Sequence, residues 1–160
     1  MANERHGGGP ARIHCTTMLL GQGGQKPMHS HELGAFLLRI VTGFIFFAHG
    51  WVKWQRGLEA ATDSFVAMGL PGWLAYIVTM VELAGGWAMM LGLGTRPIAA
   101  VFVIIMAGAI ATAKADAGLL GNGRETGYEF NLALLAMSVY LWLNGSRLWS
   151  LDAVIGRPRG

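Results

Sequence analysis

Long uninterrupted apolar stretches, rather than an alternation of apolar and polar positions, dominate the chain. Residues 64–81, 97–113 and 130–146 contain no Asp, Glu, Lys or Arg. Each approaches the roughly 20 residues that cross a hydrocarbon core about 30 Å thick. Transmembrane strands would instead show segments of about ten residues alternating in hydropathy. Lipid admits only helices and closed barrels, because every backbone polar group must be satisfied internally. The pattern therefore predicts an all-α membrane protein, a four-transmembrane-helix bundle with spans at 33–54, 72–93, 97–113 and 128–143.

The connections carry their own signals. Gly94-Thr95-Arg96-Pro97 is a tight turn, with Pro97 suited to the first turn of the next helix. Leu58, Ala61, Phe65 and Met68 recur at helical spacing, which predicts a short helix lying in the interface after the first span. Residues 115–127 include four glycines and read as irregular. Asn144-Gly145 ends the last span. Leu148, Trp149, Leu151 and Ile155 then suggest a second interfacial segment. Residues 1–32, rich in Gly, His and polar side chains, read as a disordered cytoplasmic tail. Met28 is a second candidate start. Residues 33–155 form the membrane domain, and 156–160 a short cytoplasmic C-terminal tail.

Composition agrees. Of 160 residues 53% are hydrophobic and only 13% charged, against about 25% charged in a soluble domain. The net charge of +3 does not imply nucleic acid, because the basic residues flank apolar segments and form no patch with interleaved aromatics. Their asymmetry gives an orientation. Arg5, Arg12, Lys26, Arg96, Arg147, Arg157 and Arg159 fall on the side of both termini; Lys53, Arg56, Lys114 and Arg124 fall on the other. The positive-inside rule then puts both termini in the cytoplasm. Trp51, Trp54, Trp73, Tyr76 and Tyr128 form an outer aromatic belt, and Trp142 and Trp149 mark the inner one.

The single cysteine, Cys15, excludes an intrachain disulfide. Met18-Leu19-Leu20 is too short for the apolar core of a signal peptide. His14, Cys15 and His29-x-His31 read as scattered tail residues, and no metal site is expected. His49 is the only histidine in a span, which excludes a bis-histidine haem in the bilayer.

Ionisable groups inside spans cost a few kcal/mol each on insertion scales, about 3 at the centre. Here they are Arg39, His49, Lys53, Glu82 and Glu129. Arg39, Gly43, Phe46, Gly50 and Lys53 share one stripe of the first span, with His49 at its edge. Glu82 shares a face with Ala75, Thr79, Gly86 and Met89. Small residues allow helices to approach, so the charged faces are expected to be the packing faces. By depth, Glu82 is expected to lie within reach of His49 or Arg39, and Lys53 to meet Glu129 near the outer end; Arg39 alternatively snorkels to the cytoplasmic interface. Such a cluster moves protons or merely fixes helix packing, and both readings stand.

Phe47-Ala48-His49-Gly50 with Arg39 and Lys53, Gly69-Leu70-Pro71, Glu82-Leu83-Ala84-Gly85-Gly86, and Leu91-Gly92-Leu93 with Thr95-Arg96 also form an ordered set. Together with Gly127-Tyr128-Glu129 and the stretch from Arg147 to Asp152, they resemble the DoxX family of small membrane proteins over residues 33–155. The resemblance implies four helices in a bacterial or archaeal cytoplasmic membrane. Its relatives include the DoxD subunit of a thiosulfate:quinone oxidoreductase, and members linked to quinone detoxification and oxidative-stress complexes. The long N-terminal tail departs from the family pattern, as does Lys114 where a histidine is expected.

Three functions follow. One is a quinone-linked redox component. The alternatives are a non-catalytic anchor for a soluble oxidoreductase, and a small-solute transporter. No electron carrier is evident in the chain, so redox chemistry implies a membrane quinone, which brings its own. Phe46, Trp51 and Met89 are expected to line its slot, His49, Glu82 and Glu129 to exchange protons, and Tyr128 to donate a hydrogen bond. Arg39 and Lys53 complete the binding set. The alternative is a packed core without a cavity. Expected partners are the lipid bilayer, a soluble oxidoreductase or further copies of the chain.

Overall fold

A computed structural model describes residues 28–113, 118–121, 127–146 and 148–152. The expectations for Cys15, His14, the tail up to residue 27, Lys114, Arg147 and residues 153–160 lie outside the described residues. Five helices follow one another: α1 (Met28–Arg56), α2 (Leu58–Ala67), α3 (Trp73–Leu91), α4 (Thr95–Ala113) and α5 (Glu129–Asn144). No strand occurs among the described residues. α1 starts at Met28, five residues ahead of the expected span.

Among the described residues, three helical stretches are long and apolar enough to cross a membrane: Ser30–Arg56, Trp73–Leu91 and Thr95–Thr112. α5 has 16 residues, about 24 Å at 1.5 Å per residue. Its start is fixed by the preceding chain, which folds against it: the Tyr128 and Glu129 N–H groups donate to the carbonyls of Gly118 and Leu119. Gly145, at φ 69°, ends it as the sequence leads one to expect. The helix after the first span is present as α2, and none of its residues is buried.

The distribution of polarity is that of a protein whose solvent is lipid. Leu37, Val41 and Phe44 on α1, Ile77, Met80 and Trp87 on α3, and Val101 and Ile104 on α4 point outward. Arg39, Thr42, Thr79, Glu82 and Ser138 are buried. Burying polar groups while exposing large apolar ones is unfavourable in water and favourable only where the surroundings are apolar.

α1 packs most extensively against α3, and α4 against α5. Glycines set the first of these contacts. A Cβ added to Gly86 would lie 2.6 Å from the Phe47 nitrogen and 2.7 Å from the Gly43 oxygen; one on Gly50 would lie 2.9 Å from the Leu83 nitrogen. The two backbones therefore meet with no side chain between them, as small-residue membrane interfaces do. The face of α3 that this buries holds Ala75, Thr79, Glu82, Gly86 and Met89. The apolar core gathers Phe46, Met89, Phe102, Met106, Leu134 and Leu141. Phe46 and Phe102 stack with centroids 3.6 Å apart.

Candidate functional site

The backbone contact between α1 and α3 determines where the charges meet. Glu82 is the tenth of the nineteen residues of α3, so it sits at the middle of that span. Gly50 of α1 lies level with it, since a Cβ there would be 3.0 Å from the Glu82 Cβ. One turn further along α1, Lys53 reaches back to this level. Its Nζ donates to both carboxylate oxygens, each at 2.7 Å. The carboxylate side chain is 3% exposed and the lysine 30%, so the pair joins an interior anion to a cation that retains access to the boundary.

This corrects the expected partners of Glu82. Arg39 lies eleven residues before Gly50, about 16 Å along the helix axis, too far to reach the carboxylate. His49, next to Gly50, interacts electrostatically with the Glu82 carboxylate, so it stands within reach as expected, but its ring lies against Phe130 and the hydrogen-bonded partner is Lys53. The lysine stem leans toward its own N-terminus, which brings Nζ back over Gly50, where no side chain obstructs it. Lys53 is thereby engaged by Glu82 rather than by Glu129, which is exposed in the first turn of α5.

His49 is exposed on the side of α1 that faces α5, and its ring lies 5.9 Å from that of Phe130, tilted by 20°. Glu129 and Tyr128 precede Phe130 at this end of α5. The seam between α1 and α5 is much sparser than that between α1 and α3. His49 and Phe130 thus meet at one edge of the bundle, at the end of α5 that also carries Tyr128 and Glu129.

The expected apolar slot is not formed from the residues proposed for it. Phe46 is closed by its stack on Phe102, and Met89 is fully buried in the same cluster. Trp51 instead packs against Phe47 at 6.2 Å and is 46% exposed.

Arg39 belongs to the opposite end of the bundle. It is fully buried. Nη1 donates to the Ser146 carbonyl and to Ser146 Oγ, both at 3.3 Å, and Nη2 donates to the Trp149 carbonyl at 2.8 Å. Its guanidinium also lies 5.2 Å from the Phe36 ring centroid. The same C-terminal segment contributes Asp152, whose carboxylate accepts from the Gly94 and Thr95 N–H groups at 2.9 and 3.2 Å. That carboxylate caps the start of α4, where N–H groups have no intrahelical partner. Arg96 donates to the Leu143 carbonyl at 2.7 Å. Nothing in local sequence announces these roles, since carbonyl acceptors have no side-chain signature and the cap lies 57 residues from the helix it serves.

A family model described as DoxX matches residues 34–115. The chain is 41% identical over 133 residues to the Bacillus subtilis (strain 168) protein named "Putative oxidoreductase CatD", covering 82% of this chain and 95% of that one. It is 30% identical over 125 residues to "Uncharacterized membrane protein Rv3486" of Mycobacterium tuberculosis (strain ATCC 25618 / H37Rv), covering 72% and 77%. Similarity to "Inner membrane protein YqjF" of Escherichia coli (strain K12) is 32% over 68 residues, covering 42% and 52%. No solved structure matches the chain.

Proposed function

The chain belongs to the DoxX family of membrane proteins, and on that premise we propose that it is a quinone-linked redox component of a bacterial cytoplasmic membrane. The observation that carries this reading is the Lys53–Glu82 pair in the middle of the spans, with His49 on the adjacent face of α1. Ionisable groups at that depth are costly and mark proton pathways in many membrane proteins. The word "oxidoreductase" in the name of the Bacillus relative supports the same direction.

The residues fit a planar ring at the α1–α5 edge better than in the interior, where Phe46 and Met89 are already packed. A ring arriving from the lipid meets His49 and Phe130 without opening the core. Reduction of a quinone to its quinol consumes two electrons and two protons. The electrons come from a partner oxidoreductase, and this chain handles the protons. His49 holds a proton at a carbonyl oxygen, Tyr128 donates a hydrogen bond to the ring, and Glu129 connects the site to water at the boundary. Glu82, balanced by Lys53, stands behind His49 as the second proton-exchanging group.

In this reading α5 is the fourth span. Its stretch from Phe130 to Asn144 carries no charge, and about 24 Å of helix spans a bilayer that thins locally around it. Both termini are then cytoplasmic. The stacked, closed core favours a second reading, in which the chain only anchors a soluble oxidoreductase to the membrane. Titrating a short-chain quinone into the purified protein separates the two. Saturable binding that weakens at least about tenfold, roughly 1.4 kcal/mol, in His49→Ala supports the redox component. Absence of binding in the wild type leaves the anchor.

A further inference from the structure

Where α1 ends and α2 begins, a cavity of about 700 Å³ opens at the edge of the bundle, within the range of roughly 300–1,000 Å³ typical of small-ligand sites. Its lining is chemically mixed. Arg56 supplies a cation, Glu59 and Asp63 supply two carboxylates, and Trp54 and Tyr76 supply aromatic rings. Glu59 and Asp63 are four residues apart on α2 and so share a face. Gly57 allows the turn between the helices, at φ 91°, and leaves open space above its Cα.

We propose that this cavity binds a zwitterionic phosphoethanolamine group, carried by a membrane phospholipid. A lone anion would meet Glu59 and Asp63, and a lone cation would offer no acceptor to the Arg56 guanidinium or to the first N–H groups of α2, which have no side-chain cap. A phosphate joined to a primary ammonium by two carbons satisfies both ends: the phosphate faces Arg56, and the ammonium donates to the carboxylates. Trp54 and Tyr76 add their ring faces to the ammonium, a contact aromatic groups favour. The first N–H groups of α2 have no side-chain cap and offer further donors to the phosphate. The position suits a lipid. The cavity lies at the end of the Ser30–Arg56 span and beside the start of the Trp73–Leu91 span, among the aromatics that mark a membrane boundary. Ile77 and Met80, both exposed, continue down α3 as a track for an acyl chain. Neither the ligand nor the site depends on the redox reading.

The test uses the full chain, purified in detergent and delipidated, with binding followed by native mass spectrometry. The probes are phosphatidylethanolamine, phosphatidylglycerol and soluble phosphoethanolamine. Phosphatidylethanolamine is expected to bind about tenfold more tightly than phosphatidylglycerol. Arg56→Gln and the double variant Glu59→Gln/Asp63→Asn are each expected to abolish that preference. All three side chains are exposed, so the unfolding temperature without lipid should not move. Soluble phosphoethanolamine binding as tightly as the lipid would identify the free ester as the ligand of the same site; much weaker binding identifies the lipid. Equal retention of the two phospholipids, or an undiminished preference in both variants, overturns the proposal.

Discussion

Replacing Lys53 with methionine removes the cation that donates to both oxygens of the Glu82 carboxylate while keeping much of the stem's apolar volume. The carboxylate is 3% exposed and at mid-span. Breaking a buried pair by removing one member typically costs about 3–5 kcal/mol, because a charge is left uncompensated. The lysine end is 30% exposed, so some water reaches the site, which argues for the lower end, about 3 kcal/mol. The converse substitution differs. Glu82→Gln leaves a neutral amide that still accepts one hydrogen bond, and Lys53 is free to extend toward the boundary. Its cost is about 1 kcal/mol, that of one weakened hydrogen bond. The double variant should resemble Glu82→Gln alone, so the two effects are strongly non-additive. Equilibrium unfolding in mixed micelles, applied to all four proteins, measures the cycle. Equal costs for the two single variants, or additive behaviour in the double one, would falsify the ion pair as the organising contact of α1 and α3.

Three further outcomes follow from the geometry. Gly86→Val puts side-chain atoms where a Cβ alone is 2.6 Å from the Phe47 nitrogen; it should cost about 2 kcal/mol or more, read as a lowered unfolding temperature, whereas Gly108→Val, with open space around it, should change little. Arg39→Ala removes the three hydrogen bonds to Ser146 and Trp149, so limited proteolysis should cut beyond Asn144 faster, and Arg39→Lys should recover only part because it lacks the planar fork. For topology, a reporter fused after Gly160 should behave as cytoplasmic and one inserted near Asn122 as external; the reverse contradicts the cytoplasmic termini, and both on one side contradicts α5 as the fourth span.

The helices were legible because lipid imposes a simple rule: long charge-free runs become helices, and the breaks at Gly94-Thr95 and Asn144-Gly145 are local. The buried face of α3 was legible for a related reason. Ala75, Thr79, Glu82, Gly86 and Met89 lie at helical spacing, and small residues beside a carboxylate predict a packing face. The partner of Glu82 was not legible, because it depends on the axial offset between α1 and α3. That offset is set by Gly50 against Leu83 and Gly86 against Phe47, and a shift of one turn exchanges Lys53 for His49. The interior slot differs on a similar point: Phe102, in a stretch of α4 from Pro97 to Ala111 with no polar side chain to draw notice, fills the space beside Phe46. Ser146 accepts from the distant Arg39 side chain and Asp152 from the backbone N–H groups of Gly94 and Thr95, pairings that sequence spacing does not encode.

In the proposed redox role, a quinone meets this protein at the α1–α5 edge, beside His49. A photoreactive quinone, crosslinked to the protein in liposomes and mapped by peptide mass spectrometry, tests it directly. Adducts concentrated on the peptides holding His49 and Phe130, suppressed by excess unlabelled quinone and lost in His49→Ala at matched folding, are the predicted result. Adducts spread over the lipid-facing residues of α4, or labelling that unlabelled quinone does not suppress, would contradict it.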